Sequence, residues 1–133
     1  MNFWETIRVA KILVIEDDQS FLDLVRLHLS VAGHEVVAAE DPEEGLRSLI
    51  ATPPDLILLD LDLPYLSGFE VLEALRSEPA YQAIPVMIIT GHKDDESYAR
   101  CQKMGIDGFF TKPVQSEQLI EAIGRSLARR AGT

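Results

Sequence analysis

Residues 54–64 read Pro54-Asp55-Leu56-Ile57-Leu58-Leu59-Asp60-Leu61-Asp62-Leu63-Pro64. Four consecutive aliphatic side chains, unbroken by a polar one, suit a strand covered on both faces, as in a parallel sheet with helices on either side. A single carboxylate, Asp60, stands where that strand runs out. Working outward, Ile12-Leu13-Val14-Ile15, Val36-Val37-Ala38, Val86-Met87-Ile88-Ile89 and Phe109-Phe110 are further short apolar runs, which brings the expected strands to five.

The segments between them carry helical signals. Leu22, Val25, Leu29 and Ala32 fall at i, i+3, i+7 and i+10, and Gly33 follows where a left-handed cap belongs. Asp41-Pro42-Glu43-Glu44 offers a cap, a proline at the first helical position and an acid three residues on, and Pro53-Pro54 ends that helix. Ser67-Gly68-Phe69-Glu70 repeats the capping pattern ahead of Val71, Leu72 and Leu75, with Pro79 as the stop. A fourth helix is expected over 94–103. Ser116 is the expected cap of a fifth, striped by Leu119, Ile120, Ile123 and Leu127, with Arg125, Arg129 and Arg130 toward the negative end of its dipole. Five such βα units predict an α/β fold: a doubly wound, five-stranded parallel sheet joined by right-handed crossovers.

The length of 133 residues suits one domain with one core, and nothing in it demands a second. Cys101, the one cysteine, excludes an internal disulfide framework and fits a reducing cytoplasm. The net charge of -10 argues against binding nucleic acid, which needs clustered Lys and Arg. No apolar run reaches the roughly 18–20 residues of a membrane span, so a cytoplasmic protein with no membrane contact is expected. Residues 1–9 read as an N-terminal extension whose Phe3, Trp4 and Ile7 are expected to pack against something, residues 10–130 as the domain, and 131–133 as a tail.

In open α/β sheets, ligands bind beyond the carboxyl ends of the strands. The first strand leads into Glu16-Asp17-Asp18, the third into Asp60, the fourth into Thr90-Gly91 and the fifth into Lys112-Pro113. Neighbouring carboxylates repel unless a cation lies between them, and an all-oxygen donor set suits Mg²⁺. The acidic triplet reads equally well as the opening of a helix, where acids suit the dipole. Asp60 has no such structural explanation. Thr90 alone fits an ordinary strand end and Lys112 alone an ordinary surface lysine, but the four together at one sheet edge point to a reactive site.

The stretches 12–18, 54–64 with Gly68, 84–91 and 105–113 resemble a response-regulator receiver domain of two-component signalling over residues 10–130. The resemblance implies a flavodoxin-like (βα)5 fold with strand order 2-1-3-4-5, an order the family supplies. It implies that Asp60 accepts a phosphoryl group from a histidine kinase or a histidine phosphotransfer protein. The metal set would be Glu16 through water, Asp17, Asp60 and the main-chain carbonyl of Asp62 around Mg²⁺, with Lys112 and Thr90 binding the transferred group. It further implies a cis Lys112–Pro113 bond and a switch through Thr90 and Phe109. The switch would act on a face made of helix 4, strand 5 and helix 5 and be read by an effector protein or an attached output domain, with pairing of two phosphorylated copies left open. Such a domain catalyses its own phosphorylation and dephosphorylation without turning over small substrates. Ser67 stands where relatives often have Asp, Gly91 where Ala is usual, and Phe109 where Tyr or Phe is usual; none of these removes catalytic chemistry.

Three other readings compete. Asp60-Leu61-Asp62 also resembles the nucleophile motif of haloacid-dehalogenase-like phosphatases, but those carry it on the first strand and need a longer chain. A degenerate receiver that never takes phosphate is disfavoured by the intact Asp17, Asp60, Thr90 and Lys112. A flavodoxin would need a Gly/Ser/Thr-rich anion cradle where this chain has acids.

Overall fold

The computed structural model describes residues 10–63 and 66–132, with side chains as far as Arg129. The extension bearing Phe3, Trp4 and Ile7, Pro64 of the third-strand motif, and the Arg130 side chain lie outside the described residues. Strands and helices alternate: β1 (Lys11–Ile15), α1 (Gln19–Val31), β2 (Glu35–Ala39), α2 (Pro42–Ala51), β3 (Leu56–Asp60), α3 (Gly68–Ser77), β4 (Val86–Thr90), α4 (Asp95–Met104), β5 (Gly108–Thr111) and α5 (Ser116–Gly132). The sheet order is β2-β1-β3-β4-β5, and every pair is parallel.

The two-residue period of the strands divides the core. Leu13, Ile15, Ile57, Leu59, Val86 and Ile88 point to the face that also holds Leu49, Val71, Leu72, Leu75 and Cys101, the inward residues of α2, α3 and α4. Ile12, Val14, Leu56, Leu58, Met87 and Ile89 point the other way, to Leu22, Val25 and Leu29 of α1 and Leu119, Ile123 and Leu127 of α5. With helices on both faces, β3 and β4 are buried at every position, whereas the edge strands β2 and β5 are mostly half-buried.

Four helix starts carry side-chain caps, of which the sequence pattern predicts those at Asp41 and Ser67. Asp18 accepts from the Phe21 N–H, Asp41 from Glu44 and Asp94 from Ser97, while Ser67 and Glu70 form a complete capping box. Gly33 and Gly105, both at φ 94°, close α1 and α4 in the left-handed region that favours glycine. Ser116 departs from expectation. It is the first residue inside α5, one position later than a cap, and the Leu119 N–H bonds to the Gln115 carbonyl.

The strands also run further than the apolar runs alone indicate. Asp60 pairs with Ile89 and Thr90 with Thr111, so both are the last residues of their strands, with Asp60 taking a β3 position that the apolar run leaves open. Polar residues at strand ends look like loop in a sequence, and only the pairing register shows that the ladder includes them.

Candidate functional site

The carboxyl ends of β1, β3, β4 and β5 bring Glu16, Asp17, Asp60, Thr90 and Lys112 to one edge of the sheet. Glu16 follows β1 directly, held by its N–H bonding to the Ala39 carbonyl at 2.9 Å. The acidic triplet has two separate jobs: Asp18 caps α1, while Glu16 and Asp17 join Asp60 in a cluster whose nearest carboxylate oxygens all lie within 4.8 Å of one another. Glu16 is 2% exposed, Asp60 4% and Thr90 0%, whereas Asp17 is open to solvent.

Burial of acids beside acids has electrostatic consequences. Burial first, and then the neighbouring Asp60 carboxyl, push the Glu16 carboxyl up to about 8 against the opposing pull of Lys112. Lys112 brings a positive charge to these carboxyls. Its ammonium donates to Glu16 Oε1 and lies 3.4 Å from Asp60 Oδ2. Its own burial works against its charge, but the hydrogen bond to Glu16 and the charges of Asp60 and Glu16 outweigh that and raise its pKa. The ammonium also sits 4.8 Å from the centre of the Phe21 ring, a cation–π contact. Phe21 gave no functional signal in the sequence, where an aromatic in the first turn of α1 reads as core.

The backbone fixes the rest. The Lys112 N–H bonds to the Thr90 carbonyl at 2.8 Å, and the Lys112–Pro113 bond is cis. Asp60 Oδ1 accepts from the Asp62 N–H at 3.0 Å, and Thr90 Oγ1 accepts from the His92 N–H at 3.1 Å. Above them, His92 Nε2 and Asp62 Oδ1 are 2.6 Å apart. Gly68 opens α3 directly against β3: a Cβ there would stand 2.4 Å from the Asp60 carbonyl oxygen. Phe109 is half-buried on β5, its ring edge-on to Tyr98 of α4 at 5.2 Å.

The chemistry of this donor set suits a hard divalent cation. All the ligands available are oxygens, and Glu16 Oε2 is buried without a hydrogen-bond partner, an acceptor left for a cation or its hydration shell.

Comparison with known proteins agrees with this geometry. The family model described as the response regulator receiver domain matches residues 12–124. The DNA-binding dual master transcriptional regulator RpaA of Synechocystis is 36% identical over 122 residues, 92% of this chain and 50% of that protein. The alkaline phosphatase synthesis transcriptional regulatory protein PhoP of Bacillus subtilis is 32% identical over 121 residues, 91% and 49% respectively. The chain thus spans about half the length of the curated relatives it matches. Among solved structures, a CheY-like receiver domain protein from Methanospirillum hungatei superposes with a TM-score of 0.87 at 28% identity, covering 94% of this chain and 98% of that one. Chemotaxis response regulator CheY4 of Vibrio cholerae superposes at 0.82 with 30% identity, covering 89% and 98%. With the sheet order, the acid-and-lysine edge and a family match over most of its length, the chain belongs to the response regulator receiver domains of two-component systems.

Proposed function

We propose that residues 10–130, set between the extension 1–9 and the tail 131–133, act as a phospho-accepting receiver in which Asp60 is the acceptor. The observation that carries this is the gathering of the buried Asp60 carboxylate with the Lys112 ammonium and the Glu16 and Asp17 acids. An Asp60 oxygen attacks the phosphorus of a phosphohistidine on a histidine kinase or histidine phosphotransfer protein. The O–P bond forms as the N–P bond breaks, and the donor imidazole leaves. Asp17, Asp60, the Asp62 main-chain carbonyl and, through water, Glu16 would hold Mg²⁺, which would supply neutralisation of the negative charge gathered in the transfer. Lys112 and the Thr90 hydroxyl bind the oxygens of the transferred group.

The phosphoryl group brings about -1.5 to -2 charge. It draws the Thr90 hydroxyl away from the His92 N–H, and the Phe109 ring moves into the space released. Burying a Phe side chain is worth roughly 1.5–3 kcal/mol, enough to shift a two-state population without making it all-or-none. The face of α4, β5 and α5 is read by an effector or an attached output domain, and two phosphorylated copies can pair through it. The relatives' names identify transcriptional regulators, one of them DNA-binding. The acidic domain itself does not bind DNA. Among the described residues no helix is long and apolar enough to cross a membrane, consistent with a cytoplasmic site of action.

The test is mass spectrometry after incubation with acetyl phosphate and Mg²⁺. One phosphoryl group is expected on the wild type and none on Asp60→Asn. A phosphoryl mass that persists in that variant, or that forms equally well with chelator present, overturns the assignment.

A further inference from the structure

Lysine carries its charge at the end of a flexible four-carbon stem, so an ammonium that has to serve one reaction geometry needs contacts that limit where it goes. The backbone of Lys112 is fixed by its N–H bonding to the Thr90 carbonyl at 2.8 Å. Its ammonium meets two carboxylates, Glu16 and Asp60, and the ring of Phe21, whose centre is 4.8 Å away. In the transfer proposed above Asp60 attacks and Glu16 serves the metal, so both acids have other engagements when the phosphoryl group arrives. The ring is the contact that the reaction leaves alone. Local structure sets it in place: Asp18 caps α1 and accepts the Phe21 N–H at 3.2 Å, and the ring packs against the core on the α1 and α5 face while lining the same narrow recess as Glu16 and Asp60.

We propose that Phe21 is a positioning residue for Lys112, holding the ammonium beside the Asp60 carboxylate through the electron-rich face of its ring. The inference rests on Asp60 being the phospho-acceptor. A carboxylate partner takes up an N–H donor, whereas a π face attracts the cation through its quadrupole and asks for no particular N–H direction. The ammonium can therefore turn its donors from Glu16 and Asp60 toward the oxygens of the incoming group without leaving its place. With acetyl phosphate as donor, the Asp60 O–P bond forms as the donor's P–O bond breaks and acetate leaves. Phe21 touches none of these atoms and acts through Lys112 alone. Loss of the ring slows the step about two- to thirtyfold, the range that cation–π contacts span between exposed and desolvated sites.

The experiment measures the rate of phosphoryl uptake from acetyl phosphate with Mg²⁺ in the wild type, in Phe21→Leu and Phe21→Tyr, and in protein carrying pentafluorophenylalanine in place of Phe21, a ring of nearly the same shape with the polarity of its face reversed. Slower uptake in Phe21→Leu and in the fluorinated protein is expected, with Phe21→Tyr recovering most of the rate. A fluorinated protein as fast as the wild type overturns the proposal, because it assigns the effect to packing, and so does a Phe21→Tyr rate no better than that of Phe21→Leu. On a Lys112→Ala background, Phe21→Leu is expected to add nothing, and a further loss there overturns action through Lys112. The contact is also read without any phosphorylation. The Phe21 ring current displaces the ¹H resonances of the Lys112 ε-methylene, which Phe21→Leu is expected to move toward those of the exposed lysines, and unchanged resonances overturn the contact. A wild type that takes no phosphoryl group overturns the acceptor assignment and, with it, the role of Phe21 in transfer, whereas uptake that is equally fast in Phe21→Leu overturns the role of Phe21 alone.

Discussion

Gly68 is the residue at which fold and site are most tightly joined, and substituting it tests the geometry directly. The first residue of α3 lies against the end of β3, with its N–H bonding to the Leu61 carbonyl at 2.9 Å. A Cβ added there would stand 2.4 Å from the Asp60 carbonyl oxygen and 2.6 Å from the Leu61 Cα. Both neighbours are backbone in a buried stretch, so neither can rotate away. Overpacking of this kind costs about 1–3 kcal/mol, which exceeds the gain of up to about 1 kcal/mol that alanine brings over glycine in a helix. Gly68→Ala is therefore expected to be destabilising, by roughly 4 °C of melting temperature per net kcal/mol for a domain of this size. It is also expected to slow phosphoryl uptake at temperatures where the variant is folded, since the displaced backbone carries Asp60, the proposed acceptor. Gly124 in α5 supplies the opposite case. A Cβ there meets nothing within 4 Å, so Gly124→Ala should stabilise by about 0.5–1 kcal/mol. Urea titration and thermal melting of both variants against the wild type decide the matter. A Gly68→Ala protein as stable as the wild type would refute the reasoning about the α3–β3 contact.

Further expectations rest on other parts of the structure. The Glu16 carboxyl, raised to about 8 from 4.5, binds its proton more tightly in the folded chain, so its contribution to stability is full below about 4.5 and is lost as the pH rises through 8. In metal-free protein, denaturant titrations of Glu16→Gln should lose that downward slope, and an unaltered slope would exclude Glu16 as its source. Apparent Mg²⁺ affinity should rise over the same interval, and Asp17→Asn should weaken it more than Glu16→Gln, because direct ligation loses more than a water-mediated contact. Arg76 donates to the carbonyls of Gln82, Ile84 and Gly105. Arg76→Ala leaves these acceptors without that donor and should cost about 2–4 kcal/mol in urea titration, with Arg76→Lys recovering part of it. Beryllofluoride should move amide resonances across residues 94–127, and shifts confined to the loops bearing Asp17, Asp60 and Thr90 would exclude the Phe109 relay.

The parts of this architecture that were legible in the sequence are those with a periodic or local cause. Leu56 to Leu59 could be read as a doubly covered strand because no polar residue interrupts them, and Asp41 and Ser67 could be read as caps because capping acts over three residues. Asp60 stood out because charge at the end of a buried strand lacks a structural explanation, whereas Lys112 gained meaning only beside the other strand ends. Two features escaped for a common reason. That Ser116 lies inside α5 depends on where the preceding chain approaches the helix, and the Lys112–Phe21 contact joins residues far apart in sequence; neither leaves a spacing to detect. The acidic triplet was ambiguous for a physical reason too. Helix capping and metal ligation call for the same side chains, and only the fold separates Asp18 from Glu16 and Asp17.

The helices are not equally anchored. In α4, Cys101 is the one buried residue, whereas α3 buries Gly68, Val71, Leu72 and Leu75. Beyond Cys101, half-buried Met104 packs against the same core, and the remaining contacts of α4 are lateral: the Tyr98 ring against Phe109, and the Arg100 guanidinium 4.1 Å from the centre of the Phe69 ring. Amide protons of this helix should therefore exchange with deuterium through sub-global openings that leave the central strands protected, because the free energy of opening follows the apolar contacts a segment makes. Slow exchange in β3 and β4 beside fast exchange in α4 would mark two cooperative units within one small domain. The less stable of the two can then rearrange without endangering the other.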